Sequence, residues 1–109
     1  MKAPVRKKLE KAGWHMGDAK DFLGLSDEES AYLEIKIALT EALIKTRSQA
    51  GISQSELAKL MHSSQSRVAK MEAGDSSVST DLLIKALIYL GLGAQGVSKC
   101  MAQELKRAA

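Results

Sequence analysis

Hydrophobic positions recur at helical spacing from residue 26 to the end of the chain, in segments separated by short polar breaks. The buried face of a helix repeats every three to four residues, and no segment shows the strict alternation of a half-buried strand. The pattern therefore predicts an all-α protein. Its five helices are predicted over residues 27–50, 54–61, 65–73, 80–90 and 94–108.

Serines and glycines at the segment boundaries indicate where these helices begin and end. A serine hydroxyl accepts a hydrogen bond from a free N–H of the first helical turn, and a glutamate three residues later completes a capping box. Glycine favours the left-handed backbone that follows many helices. The predicted starts are Ser26 (with Glu29), Ser53 (with Glu56), Ser64 and Ser79, and the predicted ends are Gly51, Gly74 and Gly91.

The first helix is about twice the average length of about 11–12 residues. We expect its second half to supply core residues and its first half to present a surface to a partner. Residues 1–12 carry a basic cluster, for which a solvated terminus and a DNA-contacting arm both remain open. Trp14, Phe22, Leu23 and Leu25, in the glycine-interrupted stretch that follows, are expected to pack against the domain.

Composition restricts the class of protein without selecting a function. The 109 residues are 45% hydrophobic and 27% charged, which fits one globular domain, and the net charge of +3 permits an anionic partner without requiring one. The single cysteine, Cys100, has no internal disulfide partner. No apolar run has the length of a signal peptide or membrane span, so a cytoplasmic protein is expected.

The second and third predicted helices have the geometry of a helix-turn-helix, because only about three residues separate them. Leu57, Ala58 and Met61 give the second helix one apolar stripe, and the small Ala58 permits a close crossing. Val68 and Met71 give the third helix its own stripe. Both helices are therefore expected to bury one face against the same core.

The opposite side of the third helix combines donors with small residues. Gln65 has the side chain that pairs with adenine edges, Arg67 and Lys70 suit guanine, and Ser66 suits either base. Gln54, at the start of the second helix, lies where a phosphate is held by helix N-terminal amides. The alternative is an ordinary solvated helix face, but the paired caps and the short turn favour DNA recognition.

The stretch "GISQSELAKLMHSSQSRVAKMEAGDSSVSTDLLIKALIYLG" resembles the phage-repressor-type (Xre) helix-turn-helix family over roughly residues 39–91. The resemblance implies a five-helix phage-repressor-like domain over residues 26–109, preceded by a lead-in extension over residues 1–25. It also implies that Gln54 contacts phosphate, that Gln65, Ser66 and Lys70 face base edges, and that Arg67 contacts base or phosphate. The candidate DNA-binding residues are Gln54, Ser64, Gln65, Ser66, Arg67 and Lys70.

The same resemblance implies a structural ion pair between Arg47 and Glu72. Helical geometry places Glu72 at the border of the buried side, where a charge needs a partner. One departure concerns the turn, because the family usually has glycine where this chain has His62. Histidine is among the residues enriched at positive φ, so the turn is expected to form with some strain.

The "FLGLS" stretch before an acidic, extended first helix is similar to the HigA-type antitoxin subgroup of this family. That similarity implies a dimer that represses its own operon and binds a toxin protein. Many stand-alone regulators share the architecture, so the sequence leaves both roles open.

Other classes of function have less support. His15, His62 and Cys100 are isolated, and no pair has the spacing of a metal site, so neither an enzyme, a metal nor a cofactor is expected. A protein-binding adaptor that docks a partner through the helix-turn-helix fold and the long first helix is the alternative. The polar, cationic face of the third helix favours DNA instead, because a protein-docking face carries more apolar anchors.

The sequence therefore predicts a homodimeric repressor that binds double-stranded DNA. A two-fold dimer implies a near-palindromic operator whose half-site centres are one helical turn, about 34–36 Å, or a multiple of that apart. The last helix is the expected dimerisation surface, with the N-terminal extension second.

Overall fold

The computed structural model describes residues 23–108, within which five α-helices lie complete. They are α1 (Asp27–Gln49), α2 (Gln54–Leu60), α3 (Gln65–Glu72), α4 (Thr80–Tyr89) and α5 (Ala94–Ala108). Each begins at the predicted residue and ends within one residue of the predicted end. Between residues 23 and 108 there is no strand, which confirms the all-α prediction. The basic cluster, Trp14 and Phe22 lie outside the described residues. Leu25 is half-buried, but Leu23 is 50% exposed, so the packing predicted for Leu23 is wrong.

Serine hydroxyls cap the first four helices as the sequence predicts. Ser26 Oγ accepts a hydrogen bond from the Glu29 N–H at 3.1 Å, and the Ser26 N–H donates to Glu29 Oε1 at 3.1 Å. Ser53 and Glu56 form the same reciprocal pair, with both distances 3.0 Å. The backbone and side-chain hydrogen bonds from each serine lower the pKa of its glutamate. Ser64 and Ser79 cap α3 and α4 through single bonds.

The ends of α1 and α2 share one backbone motif but differ in the residue that occupies its left-handed position. After α1, the N–H groups of Gly51 and Ile52 donate back to two carbonyls of the last turn, and Gly51 has a φ of +69°. After α2, His62 and Ser63 make the equivalent bonds, and His62 has a φ of +54°. This is a Schellman motif, in which glycine is usual because a Cβ is strained there.

The core forms around the second half of α1. Of the apolar side chains of α1, Ile37 and Leu43 are buried and Leu33 and Ile44 are half-buried. The core cluster draws residues from all five helices and from the loop before α4. Its members are Leu39, Ala42, Leu43, Leu57, Ala58, Val68, Met71, Val78, Leu83, Ala86, Leu87 and Val97.

Helix α5 packs against α1 through a charged cluster as well as apolar contacts. The side chain of Glu104 is only 2% exposed, and Lys45 Nζ lies 2.6 Å from its Oε1 atom. Arg107 Nη2 lies 3.0 Å from Glu104 Oε2 and 2.9 Å from Glu41 Oε2. Burial alone raises the pKa of Glu104, but the hydrogen bonds from Lys45 and Arg107 outweigh it and leave that pKa below its usual value. These ion pairs fix the last helix on the first.

Candidate nucleic-acid interface

Helices α2 and α3 form a helix-turn-helix whose inner faces meet in the core. Leu57 and Ala58 of α2 are buried together with Val68 and Met71 of α3, all at most 3% exposed. Met61, at the C-cap of α2, packs against the same cluster and is half-buried. The predicted apolar stripes of both helices are confirmed. Since α3 is anchored along one side, its other side has a fixed orientation towards solvent.

The solvent side of α3 carries the side chains that the sequence selects for DNA contact. Ser66, Arg67 and Lys70 are exposed, as are Ser64 and Gln65 at the start of the helix. Between them Ala69 is half-buried, so the centre of the face bears only a methyl group. A face with small residues among hydrogen-bond donors and cations can approach a groove closely.

A chain of hydrogen bonds links the core to the start of α3. Glu72 accepts two bonds from the guanidinium group of Arg47, one of them from Nη2 at 2.9 Å. Gln54 donates from Nε2 to Glu72 Oε1 at 3.0 Å. Gln65 in turn donates from Nε2 to Gln54 Oε1 at 2.7 Å. The side chains of α1, α2 and α3 are thus connected in the order Arg47, Glu72, Gln54, Gln65.

Arg47 is the residue that joins three parts of the fold. Besides Glu72, its Nη1 atom donates to the Ile52 carbonyl at 2.8 Å, in the loop before α2. The hydrogen bonds to Glu72 raise the pKa of Arg47 above its usual value, so the guanidinium stays charged. Its side chain is 17% exposed and that of Glu72 is 8% exposed. A mostly buried pair of this kind holds the end of α3 against α1.

The two glutamines are oriented by this chain of bonds. An amide group has two N–H donors and a carbonyl acceptor with two lone pairs. Gln54 uses its Nε2 atom towards Glu72 and its Oε1 atom towards Gln65, which fixes the plane of its amide. Gln65 uses one N–H towards Gln54, and its amide also carries a second N–H and a carbonyl oxygen. A donor and an acceptor together are what bidentate contact with adenine uses.

The family resemblance implies the Arg47–Glu72 pair, whereas the sequence assigns Gln54 and Gln65 separate contacts with DNA. Their direct hydrogen bond joins residues 11 positions apart across the turn. No helical periodicity indicates it, because it depends on how closely the N-termini of α2 and α3 approach. The position of both glutamines at the first residue of their helices is the signal that could have suggested it.

Elsewhere the described residues give little indication of a metal site or a catalytic nucleophile. Between residues 23 and 108 no group of three or more His, Cys, Asp or Glu side chains is arranged to hold a metal. Burial raises the pKa of the Cys100 thiol, which donates to the Val97 carbonyl at 3.3 Å. A thiol of this kind is a poor nucleophile. His62 is exposed in the turn, and His15 lies outside the described residues.

A groove of about 380 Å³ lies at the start of α1, on a different element from the exposed face of α3. It is lined by Leu25, Glu28, Glu29, Tyr32 and Leu33. Its lining combines apolar side chains with two carboxylates.

Within residues 23–108, no single helix is long and apolar enough to cross a membrane. Only α4 and α5 taken together reach the required length and composition, and they meet at a bend of 119°. Both helices contribute residues to the buried core.

Comparison with known proteins agrees with this geometry. A model of the helix-turn-helix family matches residues 43–97, from the second half of α1 into α5. A Haemophilus influenzae protein named "Uncharacterized HTH-type transcriptional regulator" is 35% identical over 66 residues, which cover 61% of this chain and 67% of that protein. No solved structure matches the chain.

Proposed function

We propose that this chain, which belongs to the helix-turn-helix family, is a transcriptional repressor that recognises a specific double-stranded DNA sequence. One observation carries the proposal. The exposed side of α3 presents Gln65, Ser66, Arg67 and Lys70, and the mostly buried Arg47–Glu72 pair holds that helix in place. A rigid helix with donors and cations around a small alanine fits the width of the major groove.

Each side chain of α3 has a proposed contact. Gln65 binds an adenine edge, and Lys70 binds guanine acceptors. Ser66 donates or accepts at a neighbouring base, and Arg67 contacts a base or a phosphate at the edge of the groove. Ser64 caps α3 with its hydroxyl. Its proposed DNA contact is with the backbone beside the first base pair.

Gln54 is proposed to contact a phosphate from the start of α2. Contacts with phosphate fix the register of a protein on DNA without selecting a sequence. Because Gln54 is bonded to both Glu72 and Gln65, a phosphate contact there also sets the position of the amide that contacts the base. In this proposal Gln54 contacts the phosphate and Gln65 contacts the base, and the hydrogen bond between them couples the two contacts.

The chain is proposed to act in the cytoplasm as a homodimer on a near-palindromic operator. One small domain makes few contacts, and a second copy on the other half-site increases the affinity by binding at high effective concentration. Two-fold symmetry places the two copies of α3 about 34–36 Å apart, or a multiple of that, along one face of the duplex.

A second role, as the antitoxin of a toxin–antitoxin pair, is favoured by the first half of α1. Residues 27–42 of this helix precede the region that matches the family. They supply most of the groove lining, including the exposed Tyr32, and they also expose Ile35. A toxin protein with a basic, apolar docking segment fits that surface. A pure adaptor, which would use this surface without binding DNA, is the alternative to the whole proposal.

Selection of binding sites from a pool of random duplexes tests the proposed function. The purified full chain is expected to enrich one near-palindromic motif with two half-sites. Enrichment of no motif, with equal weak binding to all duplexes, would contradict the repressor and favour the adaptor. The antitoxin role is tested separately, by whether the chain co-purifies from its native host with a protein encoded beside it.

A further inference from the structure

Helix α4 is apolar on two sides, and only one of them is covered within the chain. Its inner side buries Leu83, Ala86 and Leu87 completely. Its outer side exposes Ile84, at 37%, and Ile88, at 52%. Tyr89 beside them is 49% exposed. Large apolar side chains that are exposed together on one surface mark protein–protein contact sites, so the outer side of α4 indicates a contact that the single chain does not make.

The charges around this outer side suit a second copy of the same chain. Asp81 and Lys85 are its exposed charged residues, one acid and one base spaced by one helical turn. In a two-fold interface a patch meets itself, so a patch with a net charge repels its own copy. The α4 patch has one charge of each sign and is compatible with self-association.

A second exposed apolar patch, on α1, lacks this property. Tyr32 and Ile35 of α1 are 50% and 40% exposed. They lie among exposed acids of the same helix, including Glu28 and Glu34. A second copy would bring these carboxylates face to face. The α1 patch therefore suits a basic partner, and the α4 patch suits a copy of the chain itself.

Helix α5, which the sequence suggests as the dimerisation surface, uses its apolar residues inside the chain. Val97 is buried, and Met101 and Leu105 are half-buried. Its exposed side consists of alanines with polar and basic residues: Ala94, Gln95, Ser98, Lys99, Ala102, Gln103, Lys106, Arg107 and Ala108. That side offers no large apolar anchor for a stable interface.

We infer that Ile84, Ile88 and Tyr89 of α4 form the interface with a second copy of this chain, across a two-fold axis. The inference rests on the proposed function for its role on DNA, but self-association is measured without DNA. Seven residues separate the end of α3 from the start of α4. Because α4 follows α3 so closely in the chain, a dimer contact through α4 would determine the distance between the two copies of α3.

The test is the mass of the full-length chain in solution, measured by sedimentation over a range of concentrations. The wild-type chain is expected at twice its mass of 11.8 kDa. Ile88→Glu should raise the dimer dissociation constant by about 30-fold or more, the loss expected for a central interface residue. Ile35→Glu, which places the same substitution on the α1 patch, should leave the dimer intact, and so should Ala102→Glu on α5.

A second measurement covers the case in which Ile88→Glu impairs folding. In a Cys100→Ser background, Ile88→Cys is expected to form an intermolecular disulfide on mild oxidation, whereas Ile35→Cys is not. A wild-type chain that is monomeric at all concentrations would overturn the inference. An Ile88→Glu dimer as stable as the wild type, or a dimer dissociated by Ala102→Glu instead, would also overturn it.

The outcome on DNA separates this inference from the proposed function. If Ile88→Glu dissociates the dimer but the wild-type chain selects no DNA motif, the proposed α4 interface is correct and the proposed repressor function is wrong. If the wild-type chain selects a motif as a dimer and Ile88→Glu leaves that dimer intact, the proposed repressor function is correct and the proposed α4 interface is wrong.

Discussion

Glu72, at the last residue of α3, accepts hydrogen bonds from the guanidinium group of Arg47 in α1, 25 positions earlier in the chain. The pair is mostly buried, and the same carboxylate also accepts the amide of Gln54. One carboxylate thus holds together the end of α1, the start of α2 and the end of α3. The orientation of the proposed DNA-binding face depends on it.

The first prediction concerns this pair. Glu72→Ala should lower the free energy of unfolding by about 3–5 kcal/mol, because it leaves the Arg47 charge without its carboxylate partner in a mostly buried site. Thermal or urea unfolding measures the loss. Glu34→Ala, at an exposed position of α1, is the control and should change stability by less than about 0.5 kcal/mol. An unchanged melting temperature for Glu72→Ala would contradict the stabilising role of the pair.

The second prediction concerns the bond between Gln54 and Gln65. Gln54→Ala should weaken binding to all duplexes, whereas Gln65→Ala should cost about 1–3 kcal/mol mainly on the selected operator. Because the two amides are bonded at 2.7 Å, their effects should not add, and a double-mutant cycle should give a coupling of at least about 0.5 kcal/mol. Strictly additive losses would show that the two glutamines act independently.

The third prediction concerns the turn. His62 has a φ of +54°, where a Cβ costs about 1–2 kcal/mol and glycine is unstrained. His62→Gly should therefore raise the free energy of unfolding by about 0.5–1 kcal/mol, after the larger chain entropy of glycine is subtracted. Chemical unfolding of both proteins measures the difference. His62→Ala, which removes the imidazole but keeps the Cβ, is the matched control; an equal gain in His62→Ala would assign the effect to the imidazole and not to the backbone.

The fourth prediction concerns acid stability. The pKa of Glu104 is lowered in the folded chain, so its ionised form stabilises the fold at a pH above the unfolded value of about 4.3. That contribution is lost as the pH falls through the lower, folded pKa. Glu104→Gln should cost about 1–3 kcal/mol at pH 7 and lose less stability than the wild type between about pH 5 and pH 3. Parallel stability curves for the two proteins would contradict the role of Glu104.

Helix boundaries were predictable because their signals are local. Each serine cap accepts a hydrogen bond from the backbone only three residues later. Gly51 donates to a carbonyl of the helical turn that immediately precedes it. The side-chain bonds between helices were less predictable. Gln54 reaches Gln65 and Glu72 only once α2, α3 and α1 have packed, and one-dimensional spacing does not encode that approach.

The burial of Glu104 illustrates the same limit. It lies three residues after Met101 and seven after Val97, so helical spacing places it on the inner side of α5. A glutamate there is ordinarily expected to turn outward, because burying a charge is costly. The burial of Glu104 is compensated by its ion pairs with Lys45 of α1 and with Arg107, one turn later in α5. The sequence contains all three residues, but their spacing along the chain does not predict that they form ion pairs.

The most direct test of the proposed recognition is the effect of Lys70→Ala on two affinities, one for the selected operator and one for a random duplex of equal length at the same salt concentration. Lys70 is exposed on α3 beside Ala69, where it is proposed to contact a guanine. The proposal predicts that Lys70→Ala lowers operator affinity by about 1–3 kcal/mol, relaxes preference at one base step and leaves random-duplex affinity nearly unchanged. Equal losses on both duplexes would contradict base recognition by α3.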